Sequence, residues 1–368
     1  MNLGNVIKSL KNEVVFTAAL VLAIGTSFIA IPSIDYIDFK VLMSLFNLML
    51  MVKAFEELKI MDKLAVKILS KYKSSRSVSL ILISLTFISS MLVTNDVALI
   101  TFVPLSLIIG RKTKINIMDT IIFQTLAANI GSSFTPMGNP QNLFLFSYYK
   151  LNPGEFFMVT APLVIIGGVW LFIINLKVNN NVLNFSLDSV EIKDKKKGIM
   201  YGILFVAIIM SIFNFIDYRI ITLITIMTVF MLDRELIAKV DYYLLATFIG
   251  FFIFIGNVSS SDAIHSFMNY LLESKEKTYF TSISLSQVVS NVPCAILLAG
   301  FTDNWKEALL GVNIGGMGTL IASLASVISY KLYATDSPNK TKEYIIKFSA
   351  YNFISLIVFT GINYLIFF

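Results

Sequence analysis

Val93-Thr94-Asn95-Asp96 and Val289-Ser290-Asn291-Val292 are the two stretches on which the fold turns. Each is a hydroxyl–asparagine pair inside a long apolar region, and each is followed by the same second signature. Asn129-Ile130-Gly131 follows the first, with Thr135 six residues past Asn129. Asn313-Ile314-Gly315 follows the second, with Thr319 six residues past Asn313. Asp38 and Asp241 stand before corresponding apolar segments in the two halves. A hydroxyl–Asn dipeptide alone says little. Its ordered double occurrence identifies an internal repeat, approximately 13–177 and 218–368.

Charge-free windows surround these motifs, at 14–34, 77–95, 120–149, 156–176, 198–216, 242–261, 278–302, 308–330 and 348–368. Most reach the roughly 20 residues that a helix needs to cross the hydrocarbon core. Of 368 residues, 56% are hydrophobic and 14% charged, too few charges to cover a soluble protein of this length. The mean hydropathy is +0.78. One cysteine (Cys294) and one histidine (His265) leave no disulfide framework and no His/Cys site for a transition metal. No catalytic dyad or cofactor motif is present, so the expectation is a membrane protein, not an enzyme, with no cofactor.

The net charge of +6 reflects membrane orientation rather than nucleic-acid binding. With the N-terminus in the cytoplasm and 77–110 and 278–302 each entering and leaving on one side, 22 Lys and Arg lie inside and 6 outside. If both segments crossed once instead, the division would be 16 against 12. The hairpin topology therefore follows the positive-inside rule better. It gives about nine crossings plus two re-entrant hairpins, with the C-terminus outside. An extra span at 198–216 inverts the second half relative to the first. Two amphipathic segments, 59–76 and 260–272, precede the hairpins and read as in-plane arms. His265 falls on the polar side of the second, and Lys53, Glu56 and Glu57 sit near the cytoplasmic end of their span.

A hairpin tip frees backbone groups inside the bilayer, which is tolerated only around a polar cavity. The stretch 131–140 holds two glycines and two prolines and cannot be continuous helix. Its counterpart, 315–319, is broken by glycine. Discontinuous helices at corresponding places in two halves point to a transporter's binding site. Half-helix N-termini favour an anion by about 0.3–1 kcal/mol each. Thr94, Asn95, Ser290 and Asn291 can donate hydrogen bonds, while exposed carbonyls can hold a cation. A purely capping role for these Asn and hydroxyl residues is the competing reading. Asp96 is the one acid in either tip; an intramembrane carboxylate is functional by default, and a helix cap is its alternative.

These residues resemble the ion transporter superfamily, closest to its divalent anion:sodium symporter and citrate-type permease branch. The resemblance spans essentially the whole chain, and rests on Thr94-Asn95-Asp96, Ser290-Asn291-Val292-Pro293 and the stretches 129–142 and 311–323. It implies an all-α polytopic membrane protein with inverted repeats, two re-entrant hairpins and two broken helices. The scaffold would be 1–76 and 178–277, holding a homodimer contact, and the transport part 77–177 and 278–368. The family's tips carry Ser-Asn-Thr triplets at the substrate carboxylate and sodium sites. Here Thr94 stands for Ser, and Asp96 and Val292 take the third-position Thr.

The expected function is uptake of a small organic, carboxylate-like anion across the cell membrane, coupled to sodium or proton by an elevator-like motion. Substrate would meet Thr94, Asn95, Ser290, Asn291, Gly138, Asn139 and Thr319. The coupling cation would use Asp96, Asn129, Gly131, Ser132, Thr135, Asn313 and Gly315. A sodium/proton antiporter or an arsenite-type anion exporter on the same scaffold is the alternative. Expected partners are the anion, membrane lipid and a second copy, with no nucleic acid.

Overall fold

The computed structural model describes residues 13–28, 30–259 and 261–368. Lys8 and Lys11, which support the cytoplasmic placement of the N-terminus, lie outside them. Among the described residues the fold is helical, with eighteen α-helices, three short 3-10 turns and no strand beyond one isolated bridge between Ser74 and Val182.

The first repeat begins with α1 (Val14–Thr26), α2 (Phe39–Glu57) and the amphipathic α3 (Ile60–Leu69). α1 stops at Thr26, well short of its window. Then come α4 (Ser75–Val93) and α5 (Asn95–Thr113), the interrupted pair α6 (Met118–Ser132) and α7 (Pro140–Tyr148), and α8 (Pro153–Asn175). The inserted α9 (Lys195–Ile212) separates the halves. The second repeat runs α10 (Tyr218–Asp233), the one-turn α11 (Glu235–Ala238), α12 (Tyr242–Val258) and α13 (Asp262–Leu271). It closes with α14 (Lys275–Val289), α15 (Asn291–Ala299), the interrupted pair α16 (Trp305–Gly315) and α17 (Leu324–Asp336), and α18 (Thr341–Phe367). With each interrupted pair taken as one segment, nine segments among the described residues stand where the sequence puts crossings. Asp38 and Asp241 do the same job in the two halves: each caps the following helix, accepting the Val41 and Leu244 N–H at 3.0 Å.

α4 and α5 fold back on each other about Thr94, burying Val78, Leu82 and Leu85 with Phe102, Leu105 and Ile109. A helical hairpin returns the chain to the side it came from, whatever its depth. Its legs are longer than the sequence suggests. The 19 residues of α4 span about 28 Å, so that leg alone has the length and apolarity of a crossing. Pro153–Asn175 and Pro338–Phe367 also meet that test among the described residues. The second hairpin is shallower, with a 15-residue α14 and a 9-residue α15. α12 turns into the helix after it through 105°, so the second amphipathic arm runs across the preceding span.

Packing follows the repeat. α4 lies on α6 as α14 lies on α16. The second legs cross over, α5 packing on α17 of the other repeat and α15 on α7. Gly131 and Gly315 permit the equivalent close approaches. A Cβ at Gly131 would sit 2.2 Å from the Phe87 carbonyl oxygen, and one at Gly315 would sit 2.6 Å from the Ser286 Cβ. Elsewhere α1 packs on α12, and α2 on α9 and α10.

Candidate functional site: the paired hairpin tips and helix breaks

Both tips adopt the same backbone conformation. Thr94 has φ 77 and ψ 151, and Ser290 has φ 73 and ψ 153. That region is nearly reserved for glycine and costs about 1–3 kcal/mol elsewhere. Two non-glycine residues held there at corresponding positions show that the surroundings fix the tips. The first tip is tied down by the Asn95 N–H, which donates to the Gly138 carbonyl at 3.1 Å. The second is tied by the Ser290 hydroxyl, which donates to the Ala322 carbonyl at 3.2 Å. Gly138 and Ala322 are equivalent, each nine residues past the signature asparagine. Thr135 and Thr319 brace the same joints by donating their hydroxyls to the Met91 and Gln287 carbonyls, three residues before each tip.

The two repeats then exchange partners. The Asn139 amide donates to Asn313 Oδ1 at 3.1 Å, and the Ser323 hydroxyl donates to Asn129 Oδ1 at 3.1 Å. Asn139 and Ser323 are themselves equivalent, since each caps the half-helix after its break, α7 or α17. Asn129 Nδ2 donates to the Gly316 carbonyl at 3.1 Å, and Asn95 Nδ2 lies 3.5 Å from Asn129 Oδ1. Asn313 Nδ2 donates to Asn142 Oδ1 at 2.7 Å. The Asn291 amide lies against Gly316, where an added Cβ would come within 2.8 Å of its nitrogen. Asn95, Asn129, Asn139, Asn291 and Asn313 are all buried.

This network draws four helix N-termini together: those of α5 and α7 in one repeat and of α15 and α17 in the other. Each N-terminus carries about half a positive charge from unsatisfied N–H groups. The arrangement thus concentrates positive potential and hydrogen-bond donors in one polar core.

Several residues expected at a cation also have structural work. Gly131 and Gly315 are contact points between helices, and the Ser132 hydroxyl donates to the Asn129 carbonyl at 3.0 Å while accepting from Asn139. Asp96 is the second residue of α5. Its N–H donates to Asn95 Oδ1 at 3.0 Å, and its buried Oδ1 has no hydrogen-bond partner among the described residues. The cap position of that helix belongs to Thr94. Outside the core, Glu57 pairs with Lys239 at 2.5 Å and Lys193 at 3.7 Å, and Lys53 with Glu56 at 2.8 Å. His265 is exposed on α13 with its ring edge-on to Phe301, and Cys294 is buried.

Asn142, Gln287 and Ser323 belong to the core but are not among the expected site residues, although Asn142 and Ser323 end the stretches 129–142 and 311–323. Ser323 could have been found by offset, standing ten residues past Asn313 as Asn139 stands past Asn129. Gln287 carries little signal, as one amide in a hairpin leg that also holds Thr278, Thr281, Ser282, Ser284 and Ser286. Gly318 closes the second break at φ 105, and a Cβ there would lie 2.2 Å from Gln287 Oε1. Gly318→Ala is therefore expected to destabilise the fold by at least about 1–3 kcal/mol, seen as a lower midpoint in a thermal melt. An unchanged midpoint would contradict this account of the break.

Residues 6–306 match the citrate transporter family. The chain belongs to that family. Its relatives include an uncharacterized transporter of Methanocaldococcus jannaschii, 37% identical over 304 residues, 80% of this chain and 81% of that one. The inner membrane protein YbiR of Escherichia coli is 28% identical over 336 residues, 89% of each chain. The crystal structure of the Alcanivorax borkumensis YdaH transporter, described as having an unusual topology, matches 87% of this chain and 84% of its own. The TM-score is 0.54 at 13% identity, a likeness of fold. The citrate transporter family places this chain among multi-pass membrane transporters rather than enzymes, in agreement with the resemblance read from the tip and break motifs.

Proposed function

We propose that the chain is a secondary active transporter that carries a small carboxylate-like anion across the cell membrane, coupled to sodium or proton. The observation that carries this reading is the exchange of Asn139–Asn313 and Ser323–Asn129 bonds between the repeats, which gathers four half-helix N-termini in one buried place. Four such ends contribute several times ~0.3–1 kcal/mol to an anion, and asparagine and hydroxyl donors add directed bonds. Asp96 supplies negative charge for a coupling cation, and the hairpins enter and leave the membrane on one side each. The hairpins and interrupted helices (77–177 and 278–368) form the part that moves, elevator-like, against a scaffold of 1–76 and 178–277. That scaffold holds a dimer contact. The N-terminus is cytoplasmic and the C-terminus outside.

The test is uptake of labelled di- and tricarboxylates into proteoliposomes, under an inward sodium gradient, an inward proton gradient, or neither. One gradient is expected to drive accumulation above equilibrium. Accumulation of no anion under either gradient would sink the proposal. The unpartnered Asp96 oxygen favours one second reading, a sodium/proton antiporter. Sodium-driven proton efflux in the absence of any organic anion would select it.

A further inference from the structure

A helix break frees main-chain carbonyls, and such carbonyls serve as cation ligands in discontinuous transporter helices. In the second break they are already engaged. Gln287 Nε2 donates to the carbonyls of Gly315 at 2.8 Å and Met317 at 3.0 Å, with Ile283 at 3.2 Å. Its Oε1 accepts the Thr319 N–H at 2.9 Å. One carboxamide thus closes the break on both its donor and acceptor sides, and Gly318 wraps tightly round it.

The first repeat is built otherwise. The residue equivalent to Gln287 is Met91, three positions before the tip, and a thioether has no proton to donate. There the carbonyls of Ser132, Ser133 and Thr135 accept from Asn142 Nδ2 at 3.2, 3.2 and 3.1 Å. Asn142 lies on the helix that follows the same break, so it shapes the break without tying it to the hairpin. The second hairpin is held to its break by a side-chain amide, while the first relies on Thr135, the Asn95 N–H and a 3.5 Å amide contact. The unpartnered carboxylate oxygen of Asp96 also lies on the first side.

We propose that the Gln287 carboxamide is a built-in substitute for a cation: it fills the carbonyl cage of the second break, so the second repeat takes up no alkali-metal ion. Gln287 is a positioning residue in this account. Any coupling ion then binds outside the second break, at no more than one per chain, with the unpartnered Asp96 oxygen on the first repeat's side as its ligand. The coupling role rests on the transporter reading, but the ion count does not.

Equilibrium binding of radioactive sodium to the purified full-length chain tests this directly. The wild type is expected to bind at most one sodium ion. Gln287→Ala empties the cage and is expected to bind one ion more, whereas Gln287→Met refills the space without donors and gains none. A loss of packing alone would not raise the sodium count. Two ions on the wild type would overturn the proposal, as would a folded Gln287→Ala chain with no added ion. If Gln287→Ala does not fold, the wild-type count decides the matter. A chain that shows the expected count yet moves no anion would overturn the transport reading and leave this one standing.

Discussion

Asn313→Ala is expected to abolish anion uptake and to lower the stability of the purified protein. The Asn313 carboxamide accepts from Asn139 at 3.1 Å and donates to Asn142 at 2.7 Å and to the Leu309 carbonyl at 2.8 Å. Truncation leaves Asn142 Oδ1 without that donor and frees the cap residue of α7. Each buried polar group so orphaned costs about 1–3 kcal/mol. If that cost falls on the anion-binding conformation, uptake drops by about tenfold or more, since tenfold corresponds to about 1.4 kcal/mol. Asn129→Ala should behave alike, because it strips the acceptor from Ser323 and the donor from the Gly316 carbonyl. Asn363→Ala is the control. Its amide donates to the Phe359 carbonyl one turn back in α18, away from the core, and uptake should survive its loss. Equal uptake by all three variants in proteoliposomes would mean that the asparagines only hold helices together.

The second large effect is expected at Asp96. Asp96→Asn keeps the shape of the side chain and removes its charge. Asparagine caps helices about as well as aspartate, so a capping role would leave transport and its ion dependence untouched. The geometry already argues against a cap, since Thr94 holds that position and the Asp96 Oδ1 is unpartnered. If Asp96 serves the coupling cation, its replacement should raise the sodium needed for half-maximal uptake by about tenfold or more, or abolish a pH optimum. A tenfold change asks only about 1.4 kcal/mol of one carboxylate–cation contact, modest for a buried charge. The check is a sodium and pH titration of initial uptake rates. Identical profiles for wild type and Asp96→Asn would remove Asp96 from coupling.

Much of this was legible in the sequence because the repeat wrote it twice. Thr94 and Ser290 stand at the hairpin turns, Gly131 to Asn139 and Gly315 to Ser323 bracket the breaks, and Asn129 and Asn313 lie in the last turn of the helix before each break. What the motifs could not say is which amide meets which carbonyl. Spacing fixes a residue's place along a helix, whereas Asn139–Asn313 and Ser323–Asn129 join residues from different repeats. Gln287 escaped because its partners lie 28 and 30 residues away, across a break whose path no local rule gives. The depth of the first hairpin was underestimated for a simpler reason. Ser75 and Arg76 read as the end of the amphipathic arm 59–76, yet Ser74 caps a new helix there and Arg76 Nε finds the Val178 carbonyl at 2.9 Å. Gly131 and Gly315, expected at a coupling cation, are also places where helices of one repeat approach too closely for a Cβ.

If the two halves are inverted copies, each hairpin returns to its own side of the membrane, and the two sides are opposite. Asn116 lies exposed after the first hairpin, and Asp303 lies exposed after the second. Cysteines introduced at these positions, one at a time in a Cys294→Ala background, can be probed in sealed, right-side-out cells with an impermeant maleimide. Asp303→Cys is expected to label from outside, and Asn116→Cys only after the membrane is permeabilised. Labelling of both from the same face would contradict the inverted repeat.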